Sequence, residues 1–212
     1  MKASKQDTKE KILDAAEKLF ARNGFHAASL RAITGEAGVN LASVNYHFGS
    51  KDALLDAVFE RRLSPLNEIR IQRIEAVREA AGKKGVHPSV RETIRAFIEP
   101  TLALREEGAG AGEFIALVGR IFSEPTETAR TIFMRRMEPL FQLLFTTLKE
   151  ALPDMAEDLL FWKLQFTIGV LSHVLRMTGR GPALSTEVSR NCDTKTLTEW
   201  MVTFLTAGME AP

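Results

Sequence analysis

The stretch AGVNLASVNYHFGSK, residues 37–51, decides the fold that this sequence predicts. Gly38 suits a sharp turn between two short helices, because glycine adopts a left-handed backbone conformation without strain. Asn40 is a favourable cap for the helix after the turn, and Ser29 for the helix before it. Two short helices around a glycine turn predict a helix-turn-helix over residues 29–48.

The second short helix has a small, polar outer surface that suits the major groove of DNA. Ala42 lets the groove floor approach closely, and Asn45 can hydrogen-bond to base edges. Lys51 begins the next helix, where free amides, a positive helix end and one cation can meet a phosphate. The residues that we predict to bind DNA are Ser29, Arg31, Asn40, Leu41, Ser43, Asn45, Tyr46, His47 and Lys51.

Outward from this motif, the apolar residues repeat with a helical period, and alternating strand patterns are missing. A first helix should run from about Thr8 to a stop at Asn23-Gly24. The helix from Lys51 should continue past Pro65 with a kink or break there. We expect a flexible connection over residues 108–112. Later helices are predicted at residues 89–106, 113–123, 126–152, 154–178 and 194–209, with bends at Pro100 and Pro139.

These elements predict an all-α protein with two parts. Residues 1–55 would form a three-helix helix-turn-helix DNA-binding domain. Residues 56–212 would form a larger helical domain for ligand binding and dimerisation. An architectural DNA-binding protein without a sensor is a weaker alternative, because it leaves about 150 apolar-rich residues without a role.

Two motifs at the expected separation resemble the TetR family of bacterial regulators. One is residues 37–51; the other is residues 12–20 followed by Asn23-Gly24-Phe25. The resemblance implies a one-component transcriptional repressor that binds double-stranded operator DNA as a homodimer. Leu41 stands where the family often has Lys or Arg, and Asn45 where it often has Tyr, so no operator sequence is carried over.

The same stretch, together with residues 161–166 and 201–209, looks similar to the PsrA-type subgroup, which is associated with fatty-acid-responsive control. This resemblance implies a small apolar effector, such as a fatty acid or fatty acyl-CoA, that releases the repressor from a palindromic operator. The alternative effector is a planar aromatic or drug-like molecule, since phenylalanine rings could stack against it.

The middle helices are rich in Phe and Met, which suits a deformable apolar pocket. Each of these residues is also typical of plain core. The residues that we predict to contact the effector are Phe97, Phe114, Leu117, Ile121, Phe141, Phe145 and Phe166.

The segment at residues 154–178 carries two apolar rows, one through Leu160 and Leu164 and another through Phe166 and Val170. A monomer would bury one row and leave the other in water. Together with the last helix, this segment predicts a four-helix interface between two copies of the chain, and the family resemblance implies the same arrangement.

Composition adds mainly exclusions. The formal net charge is +1, which neither requires nor excludes DNA binding. The sequence has one cysteine, which suits a reducing cytoplasm. No segment predicts a secretory signal or a membrane span. We expect no catalytic residues, no metal and no cofactor, because the four histidines lie far apart and nucleophile and phosphate-loop motifs are missing. A helical enzyme with an unrecognised site is the alternative class. Most arginines should lie on solvated faces or in ion pairs: Arg61, Arg62, Arg70, Arg73, Arg135 and Arg136.

Overall fold

A computed structural model describes residues 5–106, 109–121, 127–177 and 192–212 of the chain. Every regular element in these ranges is helical, which confirms the predicted all-α class. A 3₁₀ turn, Leu104–Glu106, follows the fifth α-helix. The α-helices are α1 Lys5–Ala27, α2 Leu30–Ala37, α3 Leu41–His47, α4 Lys51–Lys84, α5 Val90–Ala103, α6 Ala109–Ile121, α7 Glu127–Ala151, α8 Glu157–Met177 and α9 Thr194–Glu210.

The predicted helix caps are present. The Ser29 hydroxyl accepts a hydrogen bond from the Ala32 amide at 3.1 Å, and the Asn40 side-chain oxygen accepts one from the Ser43 amide at 2.9 Å. Gly38 has φ 65° and ψ 34°, the left-handed conformation that the turn requires. Gly24, with φ 79°, interrupts α1 where the sequence predicted a stop. These local devices fix α2 and α3 as a helix-turn-helix.

One prediction about the continuity of the chain is partly confirmed and another is wrong. The α4 helix continues past Pro65, as predicted, and shows no break there. Residues 109–112 are the first turn of α6 and form no flexible connection, whereas Gly108 lies outside the described residues. A Cβ on Gly110 would collide with the guanidinium of Arg62, so a glycine there allows α6 to approach that side chain.

The described residues form two compact units. Unit 1 contains residues 5–64, 109–121 and 127–136, and in it α1 packs against α2 and α6. Its core includes Phe20, Ile33, Val44 and Phe59, all with no exposed surface. The predicted domain division after residue 55 stays a prediction.

Unit 2 contains residues 65–106, 137–177 and 192–212. In it α5 and α8 pack against α9, around a core that includes Ile98, Leu140, Leu160 and Val202. None of the described helices is both long enough and apolar enough to cross a membrane.

Candidate functional site

The α3 helix is anchored on one side and open on the other. Val44 is fully buried in unit 1, whereas Ala42, Asn45 and Tyr46 are exposed. The Tyr46 side chain is 69% exposed, although tyrosine normally loses most of its surface in a folded domain. Leu41, at the first position of the helix, is 39% exposed. The outer surface of α3 therefore presents an amide and a phenol hydroxyl to the surroundings.

Two of the predicted contact residues are already engaged in holding α3 in place. The Asn40 side-chain oxygen accepts both the Ser43 amide and the Ser43 hydroxyl, the latter at 3.0 Å. Ser43 is half-buried, whereas Asn40 is exposed. These contacts give Asn40 and Ser43 a positioning role at the start of α3, and the exposure of Asn40 is compatible with an additional contact to DNA.

The α2 helix has a similar division between anchor and surface. Ile33 and Thr34 are buried, and the Thr34 hydroxyl donates a hydrogen bond to the Arg31 carbonyl at 3.0 Å. The side chain of Arg31 is exposed, and Ser29 is occupied as the cap of this helix. Arg31 is therefore an exposed cation in the first turn of α2.

Three neighbouring rings pack together at the end of α3. The ring centroids of Tyr46 and His47 lie 5.1 Å apart at 79°, and those of His47 and Phe48 lie 6.1 Å apart. His47 and Phe48 are both half-buried. This packing fixes the direction of the histidine ring between its neighbours.

Within unit 1, Lys51 contacts the end of α1 in a way that the sequence did not indicate. Its Nζ donates a hydrogen bond to the His26 carbonyl at 3.1 Å and lies 4.6 Å from the centroid of the Phe25 ring. Partial burial lowers the pKa of Lys51 below its ordinary value. The hydrogen-bond partner, His26, is 25 residues away in the chain, so no local pattern could have revealed this contact. Ser50 caps α4 by accepting the Ala53 amide at 3.0 Å.

Five of the six arginines expected on solvated faces or in ion pairs do form ion pairs. Arg61 and Arg62 pair with Glu17, Arg73 pairs with Glu99, and Arg135 and Arg136 pair with Asp56. Arg70 contradicts the expectation, because it is 3% exposed and forms no ion pair with any described carboxylate.

The predicted effector residues do not all lie in one unit. Phe114, Leu117 and Ile121 are buried in unit 1. Phe97 and Phe141 meet in unit 2 with ring centroids 6.3 Å apart at 61°, and Phe145 of the same unit is half-buried. Phe166 is not part of this contact, and its side chain is 64% exposed. Among the described residues, no group of His, Cys, Asp or Glu is arranged to hold a metal ion.

Unit 2 carries an exposed aromatic surface on α8 and α9. On α8, the Trp162 and Phe166 ring centroids are 6.4 Å apart, while Leu160, Leu164 and Leu171 of the same helix are buried. The first predicted apolar row is thus buried at these positions, whereas the second is exposed at Phe166 and half-buried at Val170. The exposed aromatic residues are Phe161, Trp162, Phe166, Trp200 and Phe204.

Comparison with known proteins agrees with this geometry. Residues 12–58 match the family model described as bacterial regulatory proteins, tetR family. Residues 95–208, more than half of the chain, match the model described as tetracyclin repressor-like, C-terminal domain. The HTH-type transcriptional regulator UidR of Escherichia coli strain K12 is 38% identical over 72 residues, which cover 32% of this chain and 37% of UidR. The chain therefore matches little more than a third of that relative's length.

Solved structures share the fold over almost the whole chain. FadR from Bacillus subtilis in complex with stearoyl-CoA superposes with a TM-score of 0.64 and 16% identity, covering 94% of this chain and 98% of FadR. A transcriptional regulator from Saccharomonospora viridis in complex with choline gives a TM-score of 0.63 and 17% identity, covering 94% and 96% of the two chains. At these identities the likeness concerns the fold alone. With its helix-turn-helix and the two family matches, the chain belongs to the TetR family of bacterial transcriptional regulators.

Proposed function

We propose that this chain is a homodimeric repressor that binds a palindromic DNA operator in the cytoplasm and leaves it when a small apolar effector binds. The observation that carries DNA binding is the outer surface of α3, where Asn45 and Tyr46 are exposed while Val44 is buried beneath them. An asparagine side chain can bond adenine through two hydrogen bonds in the major groove. Family membership argues against the alternative of a helical enzyme.

A homodimer suits this proposal because two recognition helices are needed for a palindrome. A two-fold dimer would place them at half-sites about 34–36 Å apart along the duplex. The exposed aromatic surface of α8 and α9 supports the dimer, because single copies would leave five large aromatic side chains in water. An interface through these two helices would form a four-helix arrangement, which is a common dimer architecture.

Selection from random duplexes with the full chain tests DNA binding. We expect enrichment of a palindrome, followed in gel-shift titrations by weaker binding of Asn45→Ala and Tyr46→Ala. A lost base contact costs about 1–3 kcal/mol, or roughly 5–150-fold in affinity. Arg31→Ala should weaken all sequences evenly, whereas Lys83→Ala, which removes an exposed cation at the far end of α4, should change little. Selection that enriches no palindrome would contradict the proposal.

A fatty acid or fatty acyl-CoA is the effector class that we propose. The contact between Phe97 and Phe141 supports an apolar site in unit 2, and each buried CH₂ of an acyl chain contributes about 0.8 kcal/mol. FadR, a protein of the same fold, has been described with stearoyl-CoA, and the Saccharomonospora viridis regulator with choline. The rival effector is a planar aromatic or drug-like molecule, which the same rings could stack against.

Titration of a fluorescent protein–operator complex separates the two classes. Oleate, oleoyl-CoA and the planar aromatic 1-naphthol would each be added, with release followed by anisotropy. We expect release by an acyl compound, and a changed response in Phe141→Trp. A tenfold loss of operator affinity requires only about 1.4 kcal/mol of differential binding between the two states. Release by 1-naphthol alone would favour the rival class.

A further inference from the structure

Arg70 is a buried cation in unit 2 that has no described counterion. It lies on α4 with 3% of its surface exposed, and no described Asp or Glu carboxylate forms an ion pair with it. Removing a charge from water is costly, so buried charges in proteins are normally paired. The half-buried Arg61, Arg62 and Arg95 each contact carboxylates, and the buried Lys163 donates to two backbone carbonyls at the end of α9. Arg70 combines two features that none of these cations shows together: it contacts no described carboxylate, and its buried Nε has no hydrogen-bond partner among the described residues.

The described contacts of the Arg70 guanidinium are all to neutral groups. Nη1 donates to the Asn67 side-chain oxygen at 2.9 Å, and Nη2 donates to the Thr101 hydroxyl. The guanidinium carbon lies 5.1 Å from the centroid of the Phe97 ring. Nε is buried with no hydrogen-bond partner in the described part of the chain. Burial without a counterion lowers the pKa of Arg70 to about 9, in agreement with a charge that lacks compensation.

The surroundings of this cation are apolar and deformable. Phe97 contacts Phe141 edge-on, and the Asn67 amide donates to the Met137 sulfur at 3.7 Å. Methionine and phenylalanine side chains adapt readily to an apolar ligand. A guanidinium set among such residues matches a ligand with a negative head and an apolar tail, since it offers planar paired donors for a carboxylate.

We propose that Arg70 recognises the carboxylate of an amphipathic carboxylic acid, with Phe97 and Phe141 against its apolar tail. The carboxylate bonds the unpaired Nε and neutralises the buried charge. This inference rests on the effector response in the proposed function and narrows the effector to a free acid. It does not depend on DNA binding.

Calorimetric titration of the full chain tests the inference with wild type, two variants and two probes of equal chain length. The probes are dodecanoate and the neutral dodecanol, both below their aggregation concentrations. We expect wild type to bind dodecanoate at least tenfold more tightly than Arg70→Gln does. The affinities of the two proteins for dodecanol should differ by less than threefold. Arg73→Gln is the matched control, because Arg73 lies one turn further along α4, exposed and paired with Glu99. It should bind dodecanoate as wild type does.

Equal affinity of Arg70→Gln and wild type for dodecanoate would overturn the inference. If Arg70→Gln does not fold, the test is the relative affinity of wild type for the two probes. Preference for dodecanoate over dodecanol by tenfold or more supports the assignment, whereas equal affinity or no binding of either probe overturns it.

Gel shifts without ligand distinguish failure of this inference from failure of the proposed function. If the chain binds operator DNA but not dodecanoate, the proposed repressor function stands and the Arg70 site is overturned. If the chain binds dodecanoate through Arg70 but binds no duplex, the Arg70 site stands and the proposed repressor function is overturned.

Discussion

Both carboxylate oxygens of Glu17 accept hydrogen bonds from Nε of Arg62, at 2.9 and 3.1 Å, although only 1% of Glu17 is exposed. Arg61 donates to the same carboxylate and also pairs with Asp14 and Glu10. The network joins α1 to α4 within unit 1. Because one buried anion faces two cations, its desolvation cost is offset by more than one ionic contact.

The first prediction concerns the stability of this network. Glu17→Gln removes the shared anion and leaves the two arginines without it, so we expect a loss of roughly 2–3 kcal/mol in the free energy of unfolding. The loss falls below the 3–5 kcal/mol of a deeply buried pair because both arginines are partly solvated. Urea denaturation measures it. Glu10→Gln touches the same Arg61 from an exposed position and should cost at most about 1 kcal/mol. Equal losses would show that burial is not the cause.

The second prediction separates the positioning of α3 from its recognition surface. Asn40→Ala removes the cap that accepts the Ser43 amide and should reduce unfolding stability by about 1 kcal/mol. Asn45→Ala, five residues later and exposed, should leave the thermal midpoint unchanged and yet weaken operator binding. Thermal unfolding and gel shifts of both variants measure this. The division fails if Asn45→Ala destabilises unit 1 as much as Asn40→Ala does.

The third prediction is a pH dependence at Asp56. Hydrogen bonds from the Arg136 guanidinium hold the pKa of this carboxyl below its ordinary value of 3.8, with Arg135 adding to the effect. The folded state therefore favours the ionised form. The resulting stability is fully present above the unfolded-state pKa and is lost as the pH falls through the lower folded-state pKa. Asp56→Asn should accordingly be less stable than wild type at pH 7, and the difference should shrink below about pH 4. Urea titrations at both pH values test it, and a difference independent of pH would contradict the assignment.

The sequence predicted correctly those features of the fold that depend on interactions between residues close together in the chain. The caps at Ser29 and Asn40 and the glycine at residue 38 act within three or four residues, so their sequence pattern was sufficient. The positions of Lys51 and Arg70 depend on partners 25 and 31 residues away, which no periodicity reveals. Gly110 misled for a related reason, since it lies in the first turn of α6 beside the Arg62 guanidinium, 48 residues away in the chain.

The last prediction concerns assembly through α8 and α9. Phe204 is 69% exposed and Trp200 62%, and burying such a side chain contributes about 1.5–3 kcal/mol, so a contact between two copies is favoured by several of these residues together. A glutamate at position 204 would instead place an unpaired charge in that contact. We expect wild type to sediment as a dimer at micromolar concentration and Phe204→Glu to sediment as a monomer or to aggregate. Thr146→Glu adds the same charge at an exposed position of α7 and should remain dimeric. A wild-type monomer, or a Phe204→Glu dimer as stable as wild type, would remove these helices from the interface.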